Sequence, residues 1–306
     1  MIPSVNPAAQ LFLADLSRVQ SQIDTAQRQV SSGLKISQPS DAPDELEALM
    51  RVRADLARNQ QVSNNLSEVK SEVDTSEQAL QTATQIMDRV TTLAAQGVNS
   101  TATAAGRQSI AQEVTGLLQQ LVGLSQTSVQ GRYVFSGDQS QSPQYNLDLS
   151  AANGVDRLVT TASTRQITDA TGVSFTVAMT AQDIFDHRNP DDSTAADNVF
   201  AAVNSLRVSL QNNDQAGISN ALNSIHTANT YLNTQLSYYG TVQNRIQDAQ
   251  DYSSRYQVQL QTDLSNIQDA DITQAALALT QGNTQLNTAL AAEAKVPHTS
   301  LFDFLA

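Results

Sequence analysis

Few side chains in this chain of 306 residues combine the type and the spacing that chemistry needs. The three histidines, His187, His226 and His298, stand in different segments, with no second ligand at metal spacing. Asp191, Asp192 and Asp197 share one loop, but the glycine and terminal glutamate of a calcium hand are missing. Asp269 and Asp271 are two positions apart, so on a helix they point away from each other and form no acid–base pair. There is no phosphate-cradling glycine loop and no nucleophile elbow. With no cysteine, a thiolate nucleophile, a disulfide and a Cys-ligated zinc are excluded. Asn65-Leu-Ser67 and Asn99-Ser100-Thr101 match the N-glycosylation pattern, which arises by chance where Asn, Ser and Thr are abundant. The residues point to a protein that is not an enzyme and uses no cofactor and no metal.

Composition narrows the classes further. The formal charge is −13, so no basic stripe is available to displace counterions from nucleic acid or to hold an anionic membrane surface. No run of about 18 apolar residues is present, so no membrane insertion is expected, and no charged-then-apolar leader opens the sequence. A route out of the cell, if taken, is expected to remove no signal peptide. Trp is absent, aromatic residues are 5% and charged residues 15%, while Ala, Gln, Ser and Thr abound. Small residues let helices approach closely without a thick core, which suits long helices with narrow apolar stripes.

Those stripes are the strongest pattern in the chain. Val5, Ala9, Phe12, Leu16, Val19, Ile23, Ala26 and Val30 step alternately by four and three, the heptad seam of a coiled coil. Ile225, Ala228, Leu232, Gln235, Tyr239, Val242, Ile246, Ala249, Ser253, Tyr256 and Leu260 do the same, and Leu286 and Leu290 are counted with this C-terminal seam. A third heptad runs through Val62, Leu66, Val69, Val73, Ser76, Leu80, Ala83, Met87, Val90 and Ala94. The seams fit either the internal core of one bundle or surfaces partly shared between subunits. Both terminal seams are rich in alanine and bury little per turn, so they are expected to order mainly upon assembly.

The elements follow from breakers and caps. A helix runs to about Ser32, where Gly33 ends it; after the Ser37–Pro43 loop, Ser40 or Asp41 is placed to cap the next helix, with Pro43 in its first turn. Asp44 to Gln96 contains neither Gly nor Pro and spans roughly 80 Å if helical, at about 1.5 Å per residue. A turn is expected over Gly97–Gly106 and a third helix over Arg107–Val129, in which Gly116 and Gly123 permit close approach or weaken the helix. From Gly131 the chain turns β-leaning, in RYVFSG, RLVTTAS and VSFTVAM, with Val173, Phe175 and Val177 alternating as in a half-buried strand. Helix returns over about Ala195–Asn212, capped by Thr194, and from about Ala216 to Asn266. The fold expected is mainly α: long antiparallel helices in a coiled-coil bundle formed by both chain ends, with a small β-rich insert. Its divisions are 1–40 with 268–306 (terminal helices), 41–132 with 195–267 (long-helix bundle) and 133–194 (the insert).

The blocks at both ends resemble a known family. RQVSSGLKISQPSDAPDELEALMRVRADL (Arg28–Leu56) is similar to the N-terminal block of bacterial flagellins and of the hook–filament junction branch of that family. YGTVQNRIQDAQDYSS, NIQDADITQAALALTQGNTQLNTALAAEA and SLFDFLA are similar to its C-terminal block. The turn Gly131-Arg132-Tyr133-Val134-Phe135-Ser136-Gly137 and the loop Pro39–Pro43 resemble the junction branch, although Gln38 and Ala42 depart from its usual loop. The resemblance implies a structural subunit of a helical tube outside the bacterial cell, joining hook to filament, with the terminal helices lining the inner wall and the insert facing outward. It implies self-assembly with other flagellar axial subunits, export unfolded through the flagellar apparatus, and an export chaperone on the C-terminal helix. Bulk filament flagellin is the alternative reading, and a secreted coiled-coil tether or fibre protein a remoter one that lacks these motifs.

Overall fold

A computed structural model of the chain describes residues 7–295. Val5, His298 and the SLFDFLA ending lie outside the described residues. In chain order the elements are α1 (Pro7–Ser32), α2 (Pro43–Val98), α3 (Ala104–Ser125), β1 (Ser128–Val129), β2 (Arg132–Tyr133), β3 (Tyr145–Leu147), β4 (Val155–Arg157), β5 (Gln166–Thr168), β6 (Ser174–Thr176), α4 (Ala181–Phe185), α5 (Val199–Gln211), α6 (Gln215–Gln268) and α7 (Ile272–Glu293). The fold is mainly α with a small β-rich insert. It forms two compact units, Met1–Arg58 with Tyr256–Ala306 and Asn59–Arg255. This differs from the three-part division expected from the sequence. The insert is no separate body, because Phe135, Tyr145 and Phe185 are buried in one cluster with Leu80, Met87 and Tyr239 of the long helices.

In the larger unit the heptad of α2 faces that of α6. Every α2 seam position from Leu66 to Ala94 is buried, and Val62 is half-buried. The polar contacts fix the direction: Gln250 Nε2 donates to Ser67 Oγ at 3.4 Å, Gln243 Nε2 to Asp74 Oδ1 at 2.9 Å and Asn229 Nδ2 to Asp88 Oδ1 at 3.1 Å. Numbers rise along α2 as they fall along α6, so the helices are antiparallel. Ser253, a polar break in the α6 seam, is no gap. Asn59 Nδ2 donates to its carbonyl and its Oγ donates back to Asn59 Oδ1, both at 2.9 Å in a buried position. A reciprocal pair of this kind satisfies both polar groups and fixes the register of the two helices.

The ends of these helices are tied by one cation. Arg107 is buried; it donates to the carbonyls of Gly97 (2.9 Å) and Asn99 (3.2 Å) and to Asn213 Oδ1 (2.6 Å). A guanidinium there answers the free carbonyls and negative dipole end of α2. Gly97 was expected to open a turn, but α2 runs through it to Val98. The glycine serves packing: a Cβ there would come within 2.6 Å of Leu210 Cδ2 on α5. Gly116 and Gly123 are the opposite case, with nothing within 4 Å of a Cβ, so they make no close approach.

Several boundaries also differ. α3 begins at Ala104 on the Thr103 cap and ends at Ser125, because Val129 pairs with Arg132 in a hairpin instead of continuing the helix. The strands form three separate antiparallel pairs, β1–β2, β3–β4 and β5–β6. RLVTTAS contributes only Arg157 to a strand, and Val173 is exposed at the turn before β6 while Phe175 and Val177 point inward. α5 starts at Val199, not Ala195. Asn198 accepts from Ala201 N at 2.9 Å as its cap, whereas Thr194 is engaged in a bridge with Arg188.

The insert is held by aromatic packing. Phe135 meets Phe185 edge-on at 5.9 Å and Tyr239 of α6 at 6.3 Å, and Phe185 stacks on Phe200 of α5 at 5.6 Å. Phe135→Ala would empty the centre of this group, and we expect a loss of about 3–5 kcal/mol in urea unfolding. A loss below about 1 kcal/mol would show that the site collapses around the cavity.

Candidate assembly surface

The smaller unit is built on two joints. Gly33, at φ +73°, ends α1, and its amide donates to Gln29 O at 2.9 Å. The chain then runs beside the α6–α7 joint: Lys35 N donates to Gln268 O at 2.7 Å and Ala270 N donates to Gly33 O at 2.9 Å. Asp271 caps α7 through the amides of Thr273 and Gln274, at 2.9 and 3.1 Å, while Asp269 accepts from Ser265 Oγ at 2.5 Å. Those two carboxylates are structural. Asp41, expected as a possible cap of α2, turns back on its own loop, accepting from the amides of Ser37 and Gln38 at 2.9 Å each. No side chain caps α2 among the described residues; Pro43, Asp44 and Glu45 open it.

α1 packs on α7 rather than on the α6 seam. Gly282 of α7 faces Ile23, and a Cβ there would come within 2.7 Å of Ile23 Cγ1. Of the N-terminal seam, Ala26 is buried, Ala9, Phe12, Leu16, Val19 and Ile23 are half-buried, and Val30 is exposed. Of the C-terminal seam, Tyr239, Val242, Ile246 and Ala249 are buried in the core of the larger unit. Those four answer to the first reading of the heptads, the interior of one bundle. They do not form a surface that waits for neighbours. Leu260 is buried and Tyr256 half-buried in the smaller unit, while Leu286 is half-buried and Leu290 exposed on α7.

The open apolar surface lies elsewhere on the same helices. Leu11 and Leu13 of α1 are 69% and 59% exposed, and Leu277 and Leu290 of α7 are 58% and 49% exposed. Leu11 and Leu13 flank the seam position Phe12, so a search for one stripe passes over them. Their signal was the second apolar face that Leu11-Phe12-Leu13 gives a helix with too few partners to cover it.

The GRYVFSG turn has a geometric role. Gln130 (φ +52°) and Gly131 (φ +78°) form the two-residue turn between β1 and β2, a conformation for which glycine is suited at the second position. Arg132 and Tyr133 follow as β2, and Tyr133 N donates to Ser140 O at 2.8 Å. Phe135 then enters the core, and Gly137, at φ +54°, lies where a Cβ would strike the carbonyl oxygen of Ala162. The motif turns the chain out of α3 and seats the insert.

Several of the residues first considered for chemistry are engaged in structural contacts. His187 Nδ1 lies 2.7 Å from Asp197 Oδ1, and its ring stacks on Tyr231 at 4.8 Å. Asp192 pairs with Arg157 at 2.7 Å, and Asp191 accepts from Ser193 Oγ at 2.6 Å. His226 is exposed on α6. Among the described residues no group of three metal-ligating side chains comes together, and no helix is long and apolar enough to cross a membrane.

The model for the bacterial flagellin N-terminal helical region matches residues 4–140, and that for the C-terminal helical region matches residues 222–305. Together the two take in well over half of the chain. It belongs to the bacterial flagellin family. Flagellar hook-associated protein 3 of Salmonella typhimurium strain LT2 is 23% identical over 235 residues, covering 70% of this chain and 73% of that protein. A flagellin of Clostridium tyrobutyricum is 28% identical over 189 residues, covering 59% of this chain and 49% of the flagellin. The crystal structure of flagellar hook-associated protein 3 from Legionella pneumophila shares the fold, with a TM-score of 0.61 at 14% identity over 71% of this chain and 98% of that one. The joints at Gly33 and Gln268 and the GRYVFSG turn all fall inside the residues matched by the two flagellin models.

Asp41 gives a pH test of the first joint. The backbone amide of Gln38, then the amide and hydroxyl of Ser37, hold its carboxyl down to about 2. A carboxyl lowered on folding keeps its contribution above the unfolded value of about 4 and loses it as pH falls toward the folded value. The amide resonances of Ser37 and Gln38 should therefore titrate with a midpoint near 2. A midpoint near the ordinary carboxylate value of about 4 would contradict the clasp.

Proposed function

We propose that this chain is a structural subunit of the bacterial flagellum that joins hook to filament, polymerising through its terminal helices. The observation that carries the reading is the contrast between its helices. α2 and α6 bury their facing heptads in the larger unit, whereas α1 and α7 leave Leu11, Leu13, Leu277 and Leu290 uncovered, and Met50 of α2 and Val258 of α6 are open in the same smaller unit. Large apolar side chains open to water on paired helices are what an assembling surface requires. Its partners are further copies of itself and other flagellar axial subunits. An export chaperone covering the C-terminal helix before assembly, and export in an unfolded state, belong to the same reading.

The junction role is favoured over bulk filament by the Gly131–Gly137 turn and by a hook-associated relative that aligns across 70% of this chain. The filament reading draws on the flagellin relative, which aligns across 59%. Labelled protein on intact cells separates them: a single focus at the end of the hook is expected, and label along the whole filament would give the chain to the filament.

Replacing Leu13 and Leu277 together by aspartate should abolish incorporation while leaving the monomer's urea midpoint nearly unchanged, since exposed side chains seldom move stability by more than about 0.5 kcal/mol. Incorporation at wild-type levels would refute the proposed surface. Amide exchange on the dilute monomer adds a second measure: fast over Phe12–Val30 and slow over Tyr239–Ala249. Equal protection in both would remove the distinction between the ordered core and the assembling helices.

A further inference from the structure

Asn153–Gly154 is the one Asn-Gly step in the sequence, and the fold dictates both residues. It sits in the turn between β3 and β4, where Gly154 has φ +79°. A Cβ on Gly154 would come within 2.9 Å of Asn204 Cγ and of Leu118 Cδ2, so no larger residue fits. The Asn153 amide Nδ2 donates to Asp186 Oδ1 at 3.0 Å. Asp186 is fully buried and also accepts from Tyr145 OH (3.0 Å), Asn198 Nδ2 (2.7 Å) and Arg188 Nε (2.8 Å). A buried carboxylate needs such donors, so position 153 calls for an amide rather than an acid.

Packing thus imposes a dipeptide that is chemically labile whenever it is free to move. We propose that Asn153 is a deamidation site that is open in the unfolded chain and closed by folding. In the open chain the Gly154 amide nitrogen, having given its proton to hydroxide, attacks Asn153 Cγ. The new C–N bond closes a succinimide, the Cγ–Nδ2 bond breaks, and the nitrogen takes a proton from water, regenerating hydroxide, and leaves as ammonia. Water then opens the ring at either carbonyl, leaving aspartate or isoaspartate. No oxidant or cofactor enters. Glycine makes the step easy, because no side chain on the attacking residue hinders the approach.

In the folded chain both reacting groups are held. The Gly154 amide donates to Ala151 O at 3.0 Å, the Asn153 side chain is pinned to Asp186, and residue 153 is buried. The product differs from the reactant in the one respect the site cannot accept: a carboxylate would face the Asp186 carboxylate, two acceptors with no proton between them. Among the described residues Arg188 alone forms an ion pair with Asp186, and Arg157 of β4, a further positive charge near that carboxylate, is itself paired with Asp192. A chain modified before folding therefore cannot rebuild the network that joins β3, the β3–β4 turn, α4 and the cap of α5. The inference does not rest on the flagellar assignment, although a subunit exported unfolded passes through the open state.

The test incubates the full chain, folded in buffer or unfolded in urea, at the same mildly alkaline pH, and follows Asn153 by peptide mass spectrometry. Deamidation should run more than about a hundredfold faster in urea, since in buffer it must wait for an opening whose cost approaches the global stability. Gly154→Ala, assayed in urea where folding plays no part, should slow it sharply. Similar rates in buffer and urea, or no effect of Gly154→Ala in urea, would overturn the site. Asn153→Asp reports on the consequence: relative to wild type, its urea midpoint should fall at pH 7 and recover toward pH 4 as the carboxyl gains a proton to donate. A midpoint equal to wild type at pH 7 would overturn the claim that the network rejects the product.

Discussion

The burial of the α2 heptad against the α6 heptad is the interaction on which the larger unit depends. It brings together residues as far apart in the sequence as Asn59 and Ser253, separated by 194 positions. Neither helix could hold itself in water at a length above 50 residues, so each is the other's condition for being helical. The insert depends on the same seam, because Tyr239 is both a seam residue and the wall against which Phe135 packs. Met179 N donates to the Tyr239 hydroxyl at 3.2 Å, so that one side chain also takes up a backbone group of the insert. The cost is kinetic: a core whose halves lie so far apart in the chain must close a long loop before any contact forms.

Much of this was legible in the sequence because a heptad is a local signal with a single geometric meaning. Leu66 to Ala94 and Ile225 to Ala249 could be read directly, and their burial follows the spacing. Gly33 and Pro43 marked their boundaries for local reasons too: glycine is free to take the positive φ that ends α1, and proline fixes the φ that suits a first helical turn. What could not be read was which seam meets which. The stripe from Ala9 to Val30 fits the α6 stripe as well as it fits α7, and nothing local says that Gly282 is the residue that lets Ile23 approach. Gly97 misled for a related reason. A glycine that admits Leu210 and a glycine that ends a helix look alike until the neighbour is known.

The proposed assembly surface was legible only in part. Phe12, Leu16 and Ile23 belong to a stripe, and a stripe announces the face a helix covers with its own chain. Leu11 and Leu13 lie off that stripe, and the face they occupy is defined by the lack of a partner, which periodicity does not record. The polar network around Asp186 was equally hidden. Tyr145, Asn153, Asp186 and Asn198 are spread over more than fifty residues with no common spacing, and only the fold makes one site of them.

The two joints of the smaller unit are bonded to each other through backbone groups alone: Gly33 with Ala270, and Lys35 and Ile36 with Gln268. Such bonds ignore side-chain identity but not chain length. A residue inserted at either joint would put the opposite amides and carbonyls out of step, so the two loops can lengthen or shorten only together. The tip of the β5–β6 hairpin, closed within Asp169–Val173, answers to no distant segment in this way. Insertions should therefore be borne at the hairpin and resisted at the joints, where Gly33, at φ +73°, and the Asp271 cap resist substitution as well.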